Sequence, residues 1–164
     1  MSDILFTTEE AVFSYRVAGI CIQNGRILLQ RAAEPGGYAY AFPGGHVAFG
    51  ETNAQTLIRE FKEEMGADIS VERLQWVGEI FFPWDEKTCH QICLYYIVQL
   101  KDASAVPGEG MALQERGSTV TFHWVPLSAV RSIRLYPTNT VQLLDKLTDG
   151  VQHFIYYEPA HETK

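Results

Sequence analysis

The sequence predicts an α/β fold with a mixed β-sheet, and three observations carry that reading. Short apolar, partly β-branched segments recur along the chain between turn signals. Two segments with helical spacing fall among them, at residues 52–65 and from Thr138-Asn139 onward. A glycine pair, Gly44-Gly45, stands between the early strands and the first helix. Strands with helices interspersed, rather than in separate blocks, belong to the α/β class. At 164 residues the expectation is one domain over 1–164, with its core at about 15–158.

The elements follow in order. Val17-Ala-Gly-Ile-Cys-Ile-Gln23 is a strand, Asn24-Gly25 a tight hairpin turn, and Arg26–Gln30 the returning strand. Glu34-Pro-Gly-Gly-Tyr38 reads as a loop, and Pro43 argues against a strand running on from Ala41-Phe42. Thr52 with Gln55 three residues later is a capping-box signal, and Gly66 suits the left-handed residue that closes a helix. Leu74–Phe82 and Ile92–Leu100 are strands. Residues 101–118, with Pro107, Gly108, Gly110 and Gly117, read as a long loop, and Thr119–Val125 as a strand. The last helix carries Val141, Leu144 and Leu147, and a further apolar stretch, Val151–Tyr157, precedes the polar tail.

The net charge of −7 argues against a duplex or long single strand as partner, since polymer binding leans on a basic surface, and no polymeric nucleic acid is expected. A mononucleotide is not excluded, because cations can meet its phosphates. No apolar run reaches the ~18 residues that cross a bilayer, so no membrane association is expected. MSDILFTTEEAV lacks the layout of a secretory leader, and the odd set Cys21, Cys89 and Cys93 suits a reducing compartment; a cytoplasmic protein is expected. On a strand, Cys89 and Cys93 share one face and His90 the other, which reads as buried thiols rather than a metal site.

On a helical wheel, Ala54, Leu57, Ile58, Phe61 and Met65 form the core-facing stripe. Glu60, Glu63 and Glu64 fall on a neighbouring arc, beside the buried face. Carboxylates at i, i+3 and i+4 repel one another unless positive charge sits among them. Together with a backbone carbonyl from Gly44-Gly45 they make a hard-oxygen cage for Mg²⁺, with Mn²⁺ as the alternative, and this points to chemistry on phosphates.

Counted from Gly45, the residues read G-x5-E-x7-R-E-F-x-E-E-x-G-A over 45–67, through Glu51, Arg59, Glu60, Glu63, Glu64 and Gly66. This resembles the signature of the Nudix (MutT-like) hydrolases. Ala67 departs from it, where the family usually has a larger apolar residue at a packing position. The resemblance implies an α/β/α sandwich and Mg²⁺-dependent hydrolysis of a nucleoside diphosphate linked to a group X. It implies that Glu60, Glu63 and Glu64 hold divalent cations with the Gly45 carbonyl, and that one glutamate or a loop acid deprotonates the attacking water. Arg59 then orients a carboxylate, and Glu51 is its structural partner. Glu115, ahead of Glu109 and Glu79, is the candidate for the extra acid that relatives supply from a loop; Gln91 occupies a position where a number of relatives carry Glu.

For substrate binding, Arg31 in Gln30-Arg31-Ala-Ala and Asn139 in Pro137-Thr138-Asn139 resemble positions that the oxidised-dGTP diphosphatases use; the alternative for Asn139 is a helix cap. Pro83 resembles a proline associated with ADP-ribose pyrophosphatases. Tyr38, Tyr40, Phe81, Phe82 and Trp84 are candidate stacking faces, with core packing the default. The expected partner is a small nucleotide, a purine nucleoside triphosphate or an ADP-ribose-like diphosphate, and a homodimer is open. Two other readings stand beside the pyrophosphohydrolase: a non-catalytic nucleotide sensor and an RNA 5′-end pyrophosphohydrolase.

Overall fold

A computed structural model describes residues 2–32, 39–104, 106, 111–115 and 118–159, with 111–115 and 118 described by their backbone alone. In chain order the elements are β1 (Leu5–Thr7), β2 (Ala11–Ile20), β3 (Ile22–Gln23), β4 (Arg26–Ala32), β5 (Tyr40–Ala41), β6 (Gly44–His46) and α1 (Asn53–Met65). There follow β7 (Ile69–Trp84), β8 (Lys87–Leu100), β9 (Met111–Glu115), β10 (Ser118–Pro126), a 3₁₀ turn (Leu127–Ser132), α2 (Thr140–Asp145) and β11 (Gln152–Tyr157).

The strands form two sheets. The larger runs β1-β2-β8-β7-β11, with β6 pairing β2; the smaller runs β3-β4-β10-β9, with β5 pairing β4. The larger sheet is mixed: β8 lies parallel to β2 and antiparallel to β7, and β11 lies parallel to β7. Neighbouring residues of β2 feed the two halves of the core, as strand alternation requires. Val17 packs with Leu57, Phe61 and Met65 of α1 and with Leu28 and Phe122 of the smaller sheet. Ala18 packs in the opposite cluster with Trp76, Ile80, Tyr95, Phe42 and Val130. The result is the helix-and-sheet sandwich that the sequence predicts.

Several boundaries differ from the sequence reading. β7 and β8 are a single long hairpin over 69–100, joined by a two-residue turn at Asp85-Glu86 where Asp85 takes φ 51°. Polar residues hide these extensions because one face of the hairpin ends meets water. Pro83 is tolerated in β7 because the pairing with β11 ends at Phe81, leaving its imide side without a ladder bond to make. A strand also resumes immediately after Pro43, since β6 pairs with β2 rather than continuing β5. The predicted loop 101–118 contains β9, which is built by pairing with β10 along the sheet edge.

In α1, Thr52 accepts from the Gln55 N–H while the Gln55 side chain accepts from the Thr52 N–H, and Gly66 closes the helix at φ 66°. Ile58 does not join the core stripe: it is 44% exposed at the edge of the apolar arc, and Thr56 is buried in its place, donating to Glu51 at 2.8 Å. The helix α2 stops at Asp145, leaving Leu147 partly exposed beyond it. None of the described helices is long and apolar enough to cross a membrane.

Candidate active site

Two short elements build the acidic site. The strand β6 is pinned to β2 by the Gly45–Val17 pairing, and α1 lies across it. A Cβ placed on Gly45 would come within 2.3 Å of the Glu60 carboxyl carbon, so only glycine lets the backbone meet this carboxylate. Helical spacing then sets the other two acids apart. Glu64 is 7% exposed and Glu60 14%, whereas Glu63 is 61% exposed, so Glu63 stands on the solvent side of the cluster rather than beside the core.

Arg59 supplies the positive charge that this crowding requires. Its Nε and one terminal nitrogen donate to the two oxygens of Glu51 at 2.8 and 3.0 Å, a bidentate pair. Its other terminal nitrogen donates to Glu60 at 2.8 Å and to Glu63 at 3.3 Å. The Arg59 hydrogen bond is the chief reason the Glu51 carboxyl lies below its usual range, with burial opposing it and Thr56 assisting. Arg59 itself is pushed upward by the Glu51 bond and stays charged. With the guanidinium among them, no three acidic, His or Cys side chains of the described residues converge on one metal-sized point. The donor chemistry nevertheless suits a hard divalent cation: carboxylate oxygens on one helix edge, with glycine backbone against Glu60.

A cleft of about 430 Å³ opens on the other face of β2 and β8, and its walls include Arg16, Gln30, Phe42, His46, Trp84 and Gln91. That volume accommodates a nucleoside-sized ligand. Adjacent residues of β6 serve the two regions: Gly45 meets Glu60, and His46 lines the cleft.

The remaining candidates fall as follows. On β4 it is Gln30, not Arg31, that lines the cleft; Arg31 lies over the Tyr40 ring at 5.4 Å, and Tyr40 packs edge-on against His123. Asn139 makes no side-chain cap on α2. Its amide nitrogen donates to the Ile155 carbonyl at 3.4 Å, and its buried oxygen accepts from no described residue. Glu79 is held by His153 at 2.6 Å. Glu115 ends β9, but its side chain, like Glu109 and Tyr38, lies outside the described residues. Phe82 and Trp84 line the cleft, whereas Phe81 stacks on Tyr157 at 4.7 Å on the opposite face. The thiols Cys89 and Cys93 are buried, as their spacing predicts, Cys21 is buried too, and desolvation raises each to about 11.

Sequence reasoning missed Arg16, Gln30 and Gln91 as cleft residues. A signal was present: Ser14 and Arg16 are polar residues two apart on a strand that is otherwise apolar.

The family model of the NUDIX domain matches residues 14–147. The chain belongs to the Nudix family. Nudix hydrolases act on phosphoric anhydride bonds of small nucleotide substrates, and this chain is an enzyme of that class. The solved structures it resembles include the mutator MutT protein of Bacillus halodurans, at 19% identity and a TM-score of 0.61, with 91% of this chain and 93% of that one covered. An ADP-ribose pyrophosphatase of Streptococcus suis is similar at 15% identity and a TM-score of 0.56, covering 88% and 98%. A UDP-X diphosphatase is similar at 18% identity and a TM-score of 0.53, covering 88% and 66%. At such identities these likenesses show the Nudix fold and no more.

Proposed function

We propose that this Nudix domain is a divalent-cation-dependent pyrophosphohydrolase that binds a small nucleoside diphosphate derivative in the cleft and cleaves it beside α1. One observation carries the reading: Glu60 lies against Gly45, and the next residue along β6 walls a nucleoside-sized cleft. A bound base and a reacting diphosphate are then one strand apart.

Glu60, Glu63 and Glu64, with the Gly45 carbonyl, are the residues that would hold Mg²⁺ or Mn²⁺. When bound, the cation supplies neutralisation of phosphate oxygens and a more acidic water. The chain's own contribution is positional. Arg59 is clamped by Glu51 and in turn orients Glu60 and Glu63, a task for which its planar fork is suited and a lysine is not. One of the three glutamates, or Glu115 from the end of β9, accepts the proton of the attacking water. Arg31 and Asn139 are proposed to hold parts of the nucleotide that extend beyond the cleft, whose lining includes neither of them.

The test is a panel of nucleotides in Mg²⁺: oxidised and normal nucleoside triphosphates, ADP-ribose, sugar nucleotides and dinucleoside polyphosphates. Turnover of at least one, falling by two or more orders of magnitude in Glu64→Gln with the thermal midpoint retained, supports the proposal. Nucleotide binding without turnover of any would instead identify a sensor module.

A further inference from the structure

Three polar groups in the cleft have work left to do. Arg16 is half-buried there, beside Cys93 and Tyr95, and its guanidinium makes no salt bridge or side-chain hydrogen bond with a described residue. Gln30 lines the cleft, and its amide oxygen is buried and accepts no hydrogen bond from a described residue. Gln91 is 7% exposed and lines the same space.

A buried chain of hydrogen bonds sets which end of Gln91 is available. The Ser14 hydroxyl, itself fully buried, donates to the Gln91 amide oxygen at 3.2 Å. With its one hydrogen so used, the Ser14 oxygen is left to accept from His46 Nε2 at 3.0 Å. Gln91 therefore offers its NH₂ group to a ligand. In the parallel register Ser14 faces Gln91 and Arg16 faces Cys93, so Arg16 and Gln91 are diagonal neighbours on one face of the sheet. The cleft presents donors from Arg16 and Gln91 on the sheet, the Glu158 carboxylate as an acceptor, the Gln30 side chain from β4, and the aromatic walls Phe42, Phe82 and Trp84.

We propose that these three residues read the base of the nucleotide and select a keto edge over an amino edge. A keto base presents a carbonyl acceptor next to a ring N–H donor, which matches the Arg16 and Gln91 donors beside the Gln30 and Glu158 oxygens. An amino base reverses both groups: its NH₂ meets the Arg16 and Gln91 donors, and its ring nitrogen meets the Gln30 oxygen. Each mismatch leaves buried polar groups without partners, which is the strongest basis for rejecting a close analogue. Aromatic walls and a neutral amide beside Arg16 suit a base edge rather than a phosphate. This inference rests on the cleft being the nucleotide site and names the substrate class for it.

The experiment measures equilibrium binding without metal, by quenching of tryptophan fluorescence confirmed by calorimetry, for two matched pairs of nucleoside monophosphates. IMP and AMP differ essentially in the keto or amino group, as do UMP and CMP. The expected result is that the keto member binds about tenfold or more tightly in at least one pair. The pair that binds shows whether purine or pyrimidine is the natural ring. Gln91→Leu and Arg16→Leu should bring that ratio to within about threefold of unity, and Ser14→Ala should lower it by releasing the Gln91 amide. Circular dichroism identifies any variant that fails to fold, and Gln91→Glu, which removes both amide donors at nearly constant volume, then stands in for it.

Equal binding within both pairs overturns the proposal, as does absence of binding by all four. A uniform loss for keto and amino members in Arg16→Leu also overturns it, since that marks a phosphate contact. Hydrolysis does not enter these measurements. Turnover without a keto preference would end this inference alone, and a keto preference without turnover would end the pyrophosphohydrolase reading alone.

Discussion

The carboxylate of Glu60 occupies the space that a side chain on Gly45 would fill, with the nearest approach at 2.3 Å. The clash is with the far end of a flexible side chain, so Gly45→Ala is accommodated by moving Glu60 away. Stability should change by about 1 kcal/mol or less, while turnover falls roughly a hundredfold, because displacing by an ångström a carboxylate proposed to hold the cation costs that much. At Gly44 the obstacle is different: a Cβ there meets the Val17 backbone oxygen at 2.0 Å. Gly44→Ala should therefore unfold the domain or cost several kcal/mol. Urea denaturation and kcat, measured on both variants, separate the two.

Arg59 links three carboxylates, and its removal leaves Glu51, Glu60 and Glu63 facing one another. Arg59→Ala should lose about 2 kcal/mol of stability at pH 7, and Arg59→Lys a substantial part of that because the bidentate bond to Glu51 is lost.

The same pair sets an acid limb. The folded Glu51 carboxyl lies below its unfolded value of 4.5, chiefly through its bond from Arg59. Its contribution is therefore complete above about pH 4.5 and is lost as pH falls through the folded value. Glu51→Gln should flatten the fall in urea midpoint below that pH, relative to the parent protein. An unchanged acid slope would show that Glu51 is not ion-paired in solution.

Cation removal gives a third expectation. Chelation with EDTA should abolish turnover without unfolding the protein, because the core of α1 is built from Leu57, Phe61 and Met65 and needs no ion. Added Mg²⁺ should raise the thermal midpoint, and Glu60→Gln should reduce that rise. Glu63→Gln should leave stability within about 0.5 kcal/mol of the parent, since its side chain is 61% exposed, and still depress turnover.

Burial holds the Cys21, Cys89 and Cys93 thiols up at about 11. At pH 8 the native protein should react with a disulfide reagent only slowly, whereas all three thiols should react within minutes in urea. Rapid native labelling of one thiol would mark that site as open.

Much of the acidic site was legible because it is local. Thr52, Gln55 and Gly66 bound a helix by backbone hydrogen bonds within a few residues, and helical spacing alone brings Glu60 and Glu64 to one edge. The exposure of Ile58 and Glu63 escaped the wheel, because how wide a face is covered depends on what packs over it. The long hairpin of β7 and β8 and the strand β9 escaped too, since their polar faces meet water or a sheet edge and leave no alternation to read.

By itself, the order of residues determined the family signature, the first helix and its caps, the Asn24-Gly25 turn and the acids of one helix edge, all matters of spacing along a single segment. Only the tertiary structure decided that Arg59, expected to partner Glu51, also reaches Glu60 and Glu63, that Gln30 rather than Arg31 faces the cleft, and that Ser14 and His46 orient Gln91. The physical reason is that Ser14 and Gln91 stand 77 positions apart in the chain. What such residues do to each other depends on which strands pair and in which register, and no local pattern records that.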